Sequence, residues 1–158
     1  MRWSRSNKAL ATCALVVLCG LPWYQINLTA SAPRGLWLRS RVPSVVEQGM
    51  WVILPTPVRV QRWGPPWWIP LLKPVAAVAG GQVCVAEGTL WIRGTSYGPV
   101  YAEAQGQPMP HLAAGCFTVE AGRVFLASQA KQSLDSRYYG SVATSDLWAV
   151  ATPLWVWR

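Results

Sequence analysis

A chain of 158 residues, 52% hydrophobic and 13% charged, has room for one globular domain rather than two, and carries about half the charge usual for a soluble domain. Its formal net charge of +8 would suit a polyanion, but the 14 lysines and arginines are scattered, with no basic helix, patch or recognition motif, so nucleic acid is excluded as the expected partner. With 11 tryptophans and so little charge, contact with a bilayer and its anionic lipid is the better expectation.

Residues 1–8 carry Arg2, Arg5 and Lys8, and residues 9–26 are free of charge. That is a basic cytoplasmic start followed by an apolar run just long enough to cross the hydrocarbon core, with Trp23 and Tyr24 at its far interface. The sequence therefore predicts one transmembrane helix over 9–26 and a periplasmic domain over 27–158. A cleaved signal peptide is the rival reading, because Ala30-Ser31-Ala32 has the small-x-small form of a cleavage site. Pro33 speaks against it, since a proline just past the scissile bond lacks the amide hydrogen and has a fixed φ.

After Gly35 short strands alternate with turn residues, the pattern of an all-β domain. Strands are predicted at Met50–Leu54, Val58–Gln61, Leu71–Val78, Gln82–Ala86, Thr89–Arg93, Val124–Ala127 and Leu147–Ala151, with Glu87-Gly88 as a hairpin turn. Residues 62–72 contain three prolines and cannot form a regular helix or central strand. Trp63, Trp67 and Trp68 in that loop either cover the core or dip into the bilayer interface. Residues 94–122, rich in Gly, Pro and Gln, read as an inserted loop-rich lobe. Cys84 and Cys116 have no metal-ligand spacing and no companion histidines, so no metal site is expected. In an oxidising periplasm they can pair at the base of the lobe; otherwise they are two buried thiols.

Three stretches carry candidate chemistry: Thr-Ala-Ser-Ala-Pro-Arg-Gly at 29–35, Lys73 entering an apolar strand that ends in Gly80-Gly81, and Ser-Leu-Asp-Ser-Arg-Tyr-Tyr-Gly at 133–140. A serine hydroxyl needs a base to become a nucleophile. The single histidine, His111, lies in Met-Pro-His-Leu of the loop-rich lobe and reads as a solvated loop residue. Lys73 is flanked by Leu71, Leu72, Val75 and Ala76, where burial would lower its pKa and free the amine. On composition alone a strand-end lysine reaching for solvent is the preferred reading.

The order of the three motifs resembles the signal peptidase I superfamily, and the short Ser-x-Pro-x-Gly form resembles its TraF-type, conjugative-transfer branch. The segment Lys-Pro-Val-Ala-Ala-Val-Ala-Gly-Gly-Gln-Val, residues 73–83, follows the family's lysine stretch with departures at Pro74, Ala79 and Gly81. The resemblance implies a mainly β, signal-peptidase-like domain behind its anchor, with Ser31 as nucleophile and Lys73 as general base. It implies an oxyanion hole from Thr29 and the Ser31 N–H, and a supporting set of Ser133, Asp135 and Arg137. Ser133 would orient the lysine, while Asp135 and Arg137 would brace the loop as a buried or half-buried pair rather than a solvated one. No cofactor is expected. The expected activity is cleavage of exported precursors, a conjugative pilin precursor in particular, at the bacterial inner membrane and in company with a transfer apparatus. The rivals are a general signal peptidase and a non-catalytic module of a secretion or conjugation assembly.

Overall fold

The computed structural model describes residues 23–66 and 68–157. Residues 1–8, most of the expected anchor, Cys13, Cys19 and Trp67 lie outside the described residues. Among the described residues no helix is long and apolar enough to cross a membrane. The end of the apolar run, expected to be helical through Ile26, is strand β1 (Tyr24–Asn27), which pairs antiparallel with β2 (Gly35–Ser40). The ladder from Tyr24 opposite Leu38 to Asn27 opposite Gly35 pairs the backbone groups that face β2 and leaves the outer ones open, so the apolar character of these residues serves a sheet edge.

The chain continues through β3 (Trp51–Leu54), β4 (Leu71–Val78), β5 (Gln82–Ala86), β6 (Thr89–Ile92), β7 (Thr95–Pro99), β8 (Glu103–Ala104), β9 (Gln107–Pro108) and β10 (Gly115–Thr118). It ends with β11 (Arg123–Leu126), the single-turn helix α1 (Ser136–Tyr139), β12 (Val142–Ala143) and β13 (Ala149–Val156). Seven strands form the main sheet in the order β1-β2-β13-β3-β4-β11-β12. A second sheet, β10-β5-β6-β7, stands against it, and β8 and β9 make a separate hairpin. The second sheet thus takes in residues from Gln82 onward, well before the lobe boundary expected at 94.

The predicted strand at Val58–Gln61 is absent. Val58–Val60 is a single 3-10 turn behind Pro57, with Val58 exposed and Val60 buried. The Val-Arg-Val alternation has the period of a strand, but Val60, Gln61 and Trp63 satisfy their N–H groups locally, on the carbonyls three residues earlier. The Glu87-Gly88 turn has φ of +50° and +68°, the doubly left-handed form that suits the twist of a two-residue hairpin, and Arg93-Gly94 repeats it between β6 and β7.

Small residues set the contact between the layers. Ala76 and Ala77 of β4, with Phe125 and Ala127, bury against Val83, Val85, Leu90 and Ile92 of the second sheet. Cys84 and Cys116 stand opposite one another on β5 and β10 and form a disulfide. On the main sheet, Trp37 is fully buried with Ile53, Leu72, Ala149, Ala151 and Ala32, its ring 5.1 Å from that of Trp51. This cluster is the floor beneath the β1–β2 loop, which contains Ser31.

Candidate active site

Three segments converge at one end of the main sheet. The first is the loop 28–34 between β1 and β2. Its Ala32 is sunk in the tryptophan cluster, and its Pro33 carbonyl accepts from Trp37 Nε1 at 3.2 Å. The hub of this loop is Asn27, only 6% exposed. Its Nδ2 reaches the carbonyls of Thr29, Ala32 and Pro33 at 3.0, 2.9 and 3.1 Å, and its Oδ1 accepts from the Thr29 hydroxyl at 2.8 Å and the Thr29 N–H at 3.3 Å. Asn27 was not singled out in the sequence. The available signal was an amide-bearing residue at the end of an apolar run, four before the serine.

The second segment is β4, whose third residue, Lys73, lies opposite Val52 of β3. Pro74 follows it without an amide hydrogen to offer, at a point where the β4–β11 register shifts just beyond and the ladder loosens. Lys73 is 3% exposed. Its Nζ lies 2.8 Å from Ser31 Oγ and 3.0 Å from Ser133 Oγ. Burial pulls its pKa down to about 8, with Asp135 opposing and Arg137 reinforcing the shift. A free amine is therefore within reach near neutral pH, which an exposed lysine would not offer.

The third segment is the loop from β11 to α1. Ser133 is 1% exposed, and the fully buried Asp135 and Arg137 behind it form an ion pair with Nε to Oδ1 at 2.8 Å. Asp135 caps α1 by accepting from the Arg137 N–H and also accepts from the Ser128 N–H. The guanidinium donates to the carbonyls of Ser128 and of Pro99, at the end of β7. Each buried charge is thus paired and hydrogen-bonded, as burial demands. The pair ties the serine-bearing loop to the second layer.

Thr29 Oγ1 lies 3.2 Å from Ser31 Oγ. No acceptor within the protein meets the Ser31 N–H among the described residues. His111 sits elsewhere, its Nδ1 within hydrogen-bond distance of the Met109 carbonyl at 2.9 Å, so no histidine joins the serine. Ser31 stands between two depressions. A cleft of about 760 Å³ runs between residues 25–31 and Ile69–Lys73, and a shallower one of about 470 Å³ lies over Ala32, Pro74, Ala76 and Ala127.

A serine beside a buried, deprotonatable amine can carry out nucleophilic acyl transfer. The family model described as signal peptidase, peptidase S26, matches residues 9–157. The chain belongs to that family. Within it, the chain is of the TraF type. A conjugal transfer protein TraF of Agrobacterium fabrum is 32% identical in an alignment of 146 positions, gaps included, that covers 83% of this chain and 81% of the relative. A plasmid transfer protein TraF of Escherichia coli is 25% identical in an alignment that covers 99% of each chain. Among solved structures, a signal peptidase I from Enterococcus faecalis overlaps 69% of this chain and 98% of its own, at 19% identity and a TM-score of 0.43. As an S26 member of this branch, the chain is a signal-peptidase-type serine peptidase.

Proposed function

We propose that this protein removes the signal segment or propeptide of exported precursors, in particular a conjugative pilin precursor, with Ser31 as nucleophile and Lys73 as general base. The observation that carries the reading is the 2.8 Å contact between Ser31 Oγ and a lysine amine that is almost wholly buried. In its free form that amine takes the Ser31 proton as Oγ attacks the scissile carbonyl. The resulting ammonium then protonates the leaving amine. A water attacks the acyl-enzyme by the same route, returning its proton through Lys73 and freeing Ser31. Ser133 keeps Nζ aimed at Ser31 throughout. The unpaired Ser31 N–H is available to the oxyanion, and the family pattern adds the Thr29 hydroxyl.

The precursor would lie extended in the cleft between residues 25–31 and 69–73, pairing with β1, an outer strand of its sheet, and setting small side chains beside Ser31. The reading places the protein in the bacterial inner membrane, anchored once through the part of residues 9–26 that precedes β1, with the described domain in the periplasm beside the transfer apparatus. The Cys84–Cys116 disulfide supports an oxidising compartment. The relatives named for conjugal and plasmid transfer support the choice of substrate. Co-expression with a pilin precursor tests it: the wild type should convert the precursor to its mature size, and Ser31→Ala should leave it at full length. Processing by Ser31→Ala would end the proposal.

A further inference from the structure

The cleft and the shallower depression at Ser31 are two halves of one groove. Ala30 and Ser31 line both, and away from them the lining divides in step along three segments. The serine loop gives residues 25–31 to the cleft and 30–33 to the depression. The stretch entering β4 gives 69–73 to the cleft and 74–76 to the depression. The loop after β11, running the other way, gives 130–132 and 134 to the cleft and 127–129 to the depression. Ser31 and Lys73 stand where one half gives way to the other. An extended chain laid over Ser31 from the cleft therefore continues into the depression.

We infer that the depression is the leaving-group subsite: it holds the first residues beyond the scissile bond and selects an uncharged, apolar segment there. The inference rests on the Ser31–Lys73 reading and deepens it. Polarity follows from the fold. The cleft is walled by β1, which the chain reaches straight from the apolar residues 9–22, so the apolar signal segment of a precursor, the acyl half of the substrate, enters on that side. Ser31 Oγ bonds the carbonyl carbon of that half, the C–N bond breaks, and the nitrogen takes the proton that Lys73 removed from Ser31. The amine so released heads the segment in the depression.

The floor of the depression is small and apolar. Ala32, Ala76 and Ala127 are each at most 6% exposed, and Pro74, where the chain departs from the family's lysine stretch, adds a ring with no amide hydrogen. Half-buried Trp51 of β3 and Tyr97 of β7 contribute aromatic surface. No charged side chain lines this half, whereas Lys73 and Lys131 line the cleft. A charged residue of the substrate would lose water here and find no ionic partner, while an apolar one meets alanine and aromatic surface.

The test uses the full-length protein in detergent and internally quenched peptides with alanine just before the scissile bond and two positions earlier. At the second position beyond the bond the peptides carry Leu, Asp or Lys, and a control series carries the same residues at the fourth position before it. Wild type should cleave the leaving-side Leu peptide with kcat/KM about tenfold or more above its Asp and Lys counterparts. Gln48 and Gln129 are exposed and line the depression alone, so a charge can be set there without burying it. Gln48→Lys should raise the leaving-side Asp-to-Lys ratio of kcat/KM about two- to fivefold, the range of an exposed ion pair, and Gln48→Glu should lower it as much. Gln129→Lys should repeat the first shift from the loop after β11. The same ratio in the acyl-side series should stay where it is. A response confined to the acyl-side series would put the leaving segment in the cleft and overturn the inference. A shift of both series alike is the mark of long-range charge and also overturns it, as does equal cleavage of the three leaving-side peptides by wild type. Ser31→Ala and Lys73→Ala keep the two levels apart. If either still cleaves these peptides, the dyad falls and this subsite with it, whereas two inactive variants beside an unmoved leaving-side ratio remove the subsite alone.

Discussion

Lys73 sets both the pH range of the reaction and a cost in stability. Because its amine has a pKa of about 8 when folded, kcat/KM should rise with pH through that value. Lys73→Arg keeps a charge that cannot be given up and should lose activity at least about a hundredfold, as Lys73→Ala should, in peptide cleavage by folded protein. His111→Ala should keep near wild-type turnover. The stability sign follows from the same shift. The unfolded chain binds the lysine proton up to the ordinary value of 10.5, so this group weakens the fold below about pH 8, and the penalty is relieved as pH rises from about 8 to 10.5. Lys73→Met should be more stable than wild type at pH 7, by up to about 3 kcal/mol, and the gap should close over that interval in denaturant titrations. Asp135 and Arg137 work in the opposite sense. Asp135→Asn or Arg137→Met leaves a buried charge without its partner and should cost about 3–5 kcal/mol. The sequence brought Ser31, Lys73 and Ser133 together through their motifs. Asn27 escaped because its work is done through one side chain folding back on carbonyls of the next six residues, which no composition or period records.

Elements were legible where backbone and side-chain signals agreed. Leu71–Val78 and Gln82–Ala86 coincide with β4 and β5, and the Glu87-Gly88 turn formed because its two residues reach the left-handed region together. The strand expected at Val58–Gln61 shows the limit: alternation supplies a face to bury, but a strand also needs a neighbour to bond, and prolines at 55 and 57 isolate this stretch. β1 was hidden for the converse reason. An apolar run reads the same whether its end enters a bilayer or lies on a sheet edge, and only the pairing with β2 distinguishes the two. The Cys84–Cys116 pair fastens β5 to β10 directly and closes a loop of 32 residues. Its reduction should lower stability by about 3–4 kcal/mol in the chain-entropy description. Because Ala76, Ala77 and Phe125 still pack that sheet onto the main one, the reduced protein should keep its peptidase activity at low temperature. Equal melting of the oxidised and reduced proteins would remove any stabilising role for the bridge.

At the scale of the whole molecule, the site borders an apolar exposed surface at the β1 edge of the main sheet. Tyr24 and Ile26 of β1, Leu38 of β2 and Trp155 of β13 are exposed on one face of three neighbouring strands, with Tyr24 opposite Leu38 and Leu36 opposite both Ile26 and Trp155. A patch of this kind marks a docking surface, and tryptophan and tyrosine are the side chains suited to the headgroup region. It continues directly into the cleft, whose wall includes Ile26 and Ile69, and into the chain that leads back to the apolar residues 9–22. If a bilayer covers this face, a precursor leaving the membrane would meet the cleft without crossing open water. Leu38→Asp combined with Trp155→Asp tests this, since neither residue lines the cleft. The double variant should cleave a short soluble peptide at the wild-type rate, yet process a membrane-embedded precursor in vesicles several-fold more slowly, because the two carboxylates resist entry into the interface. Equal losses on both substrates would trace the effect to the fold of β2 and β13. Equal retention on both would show that the patch faces something other than the membrane from which the substrate comes.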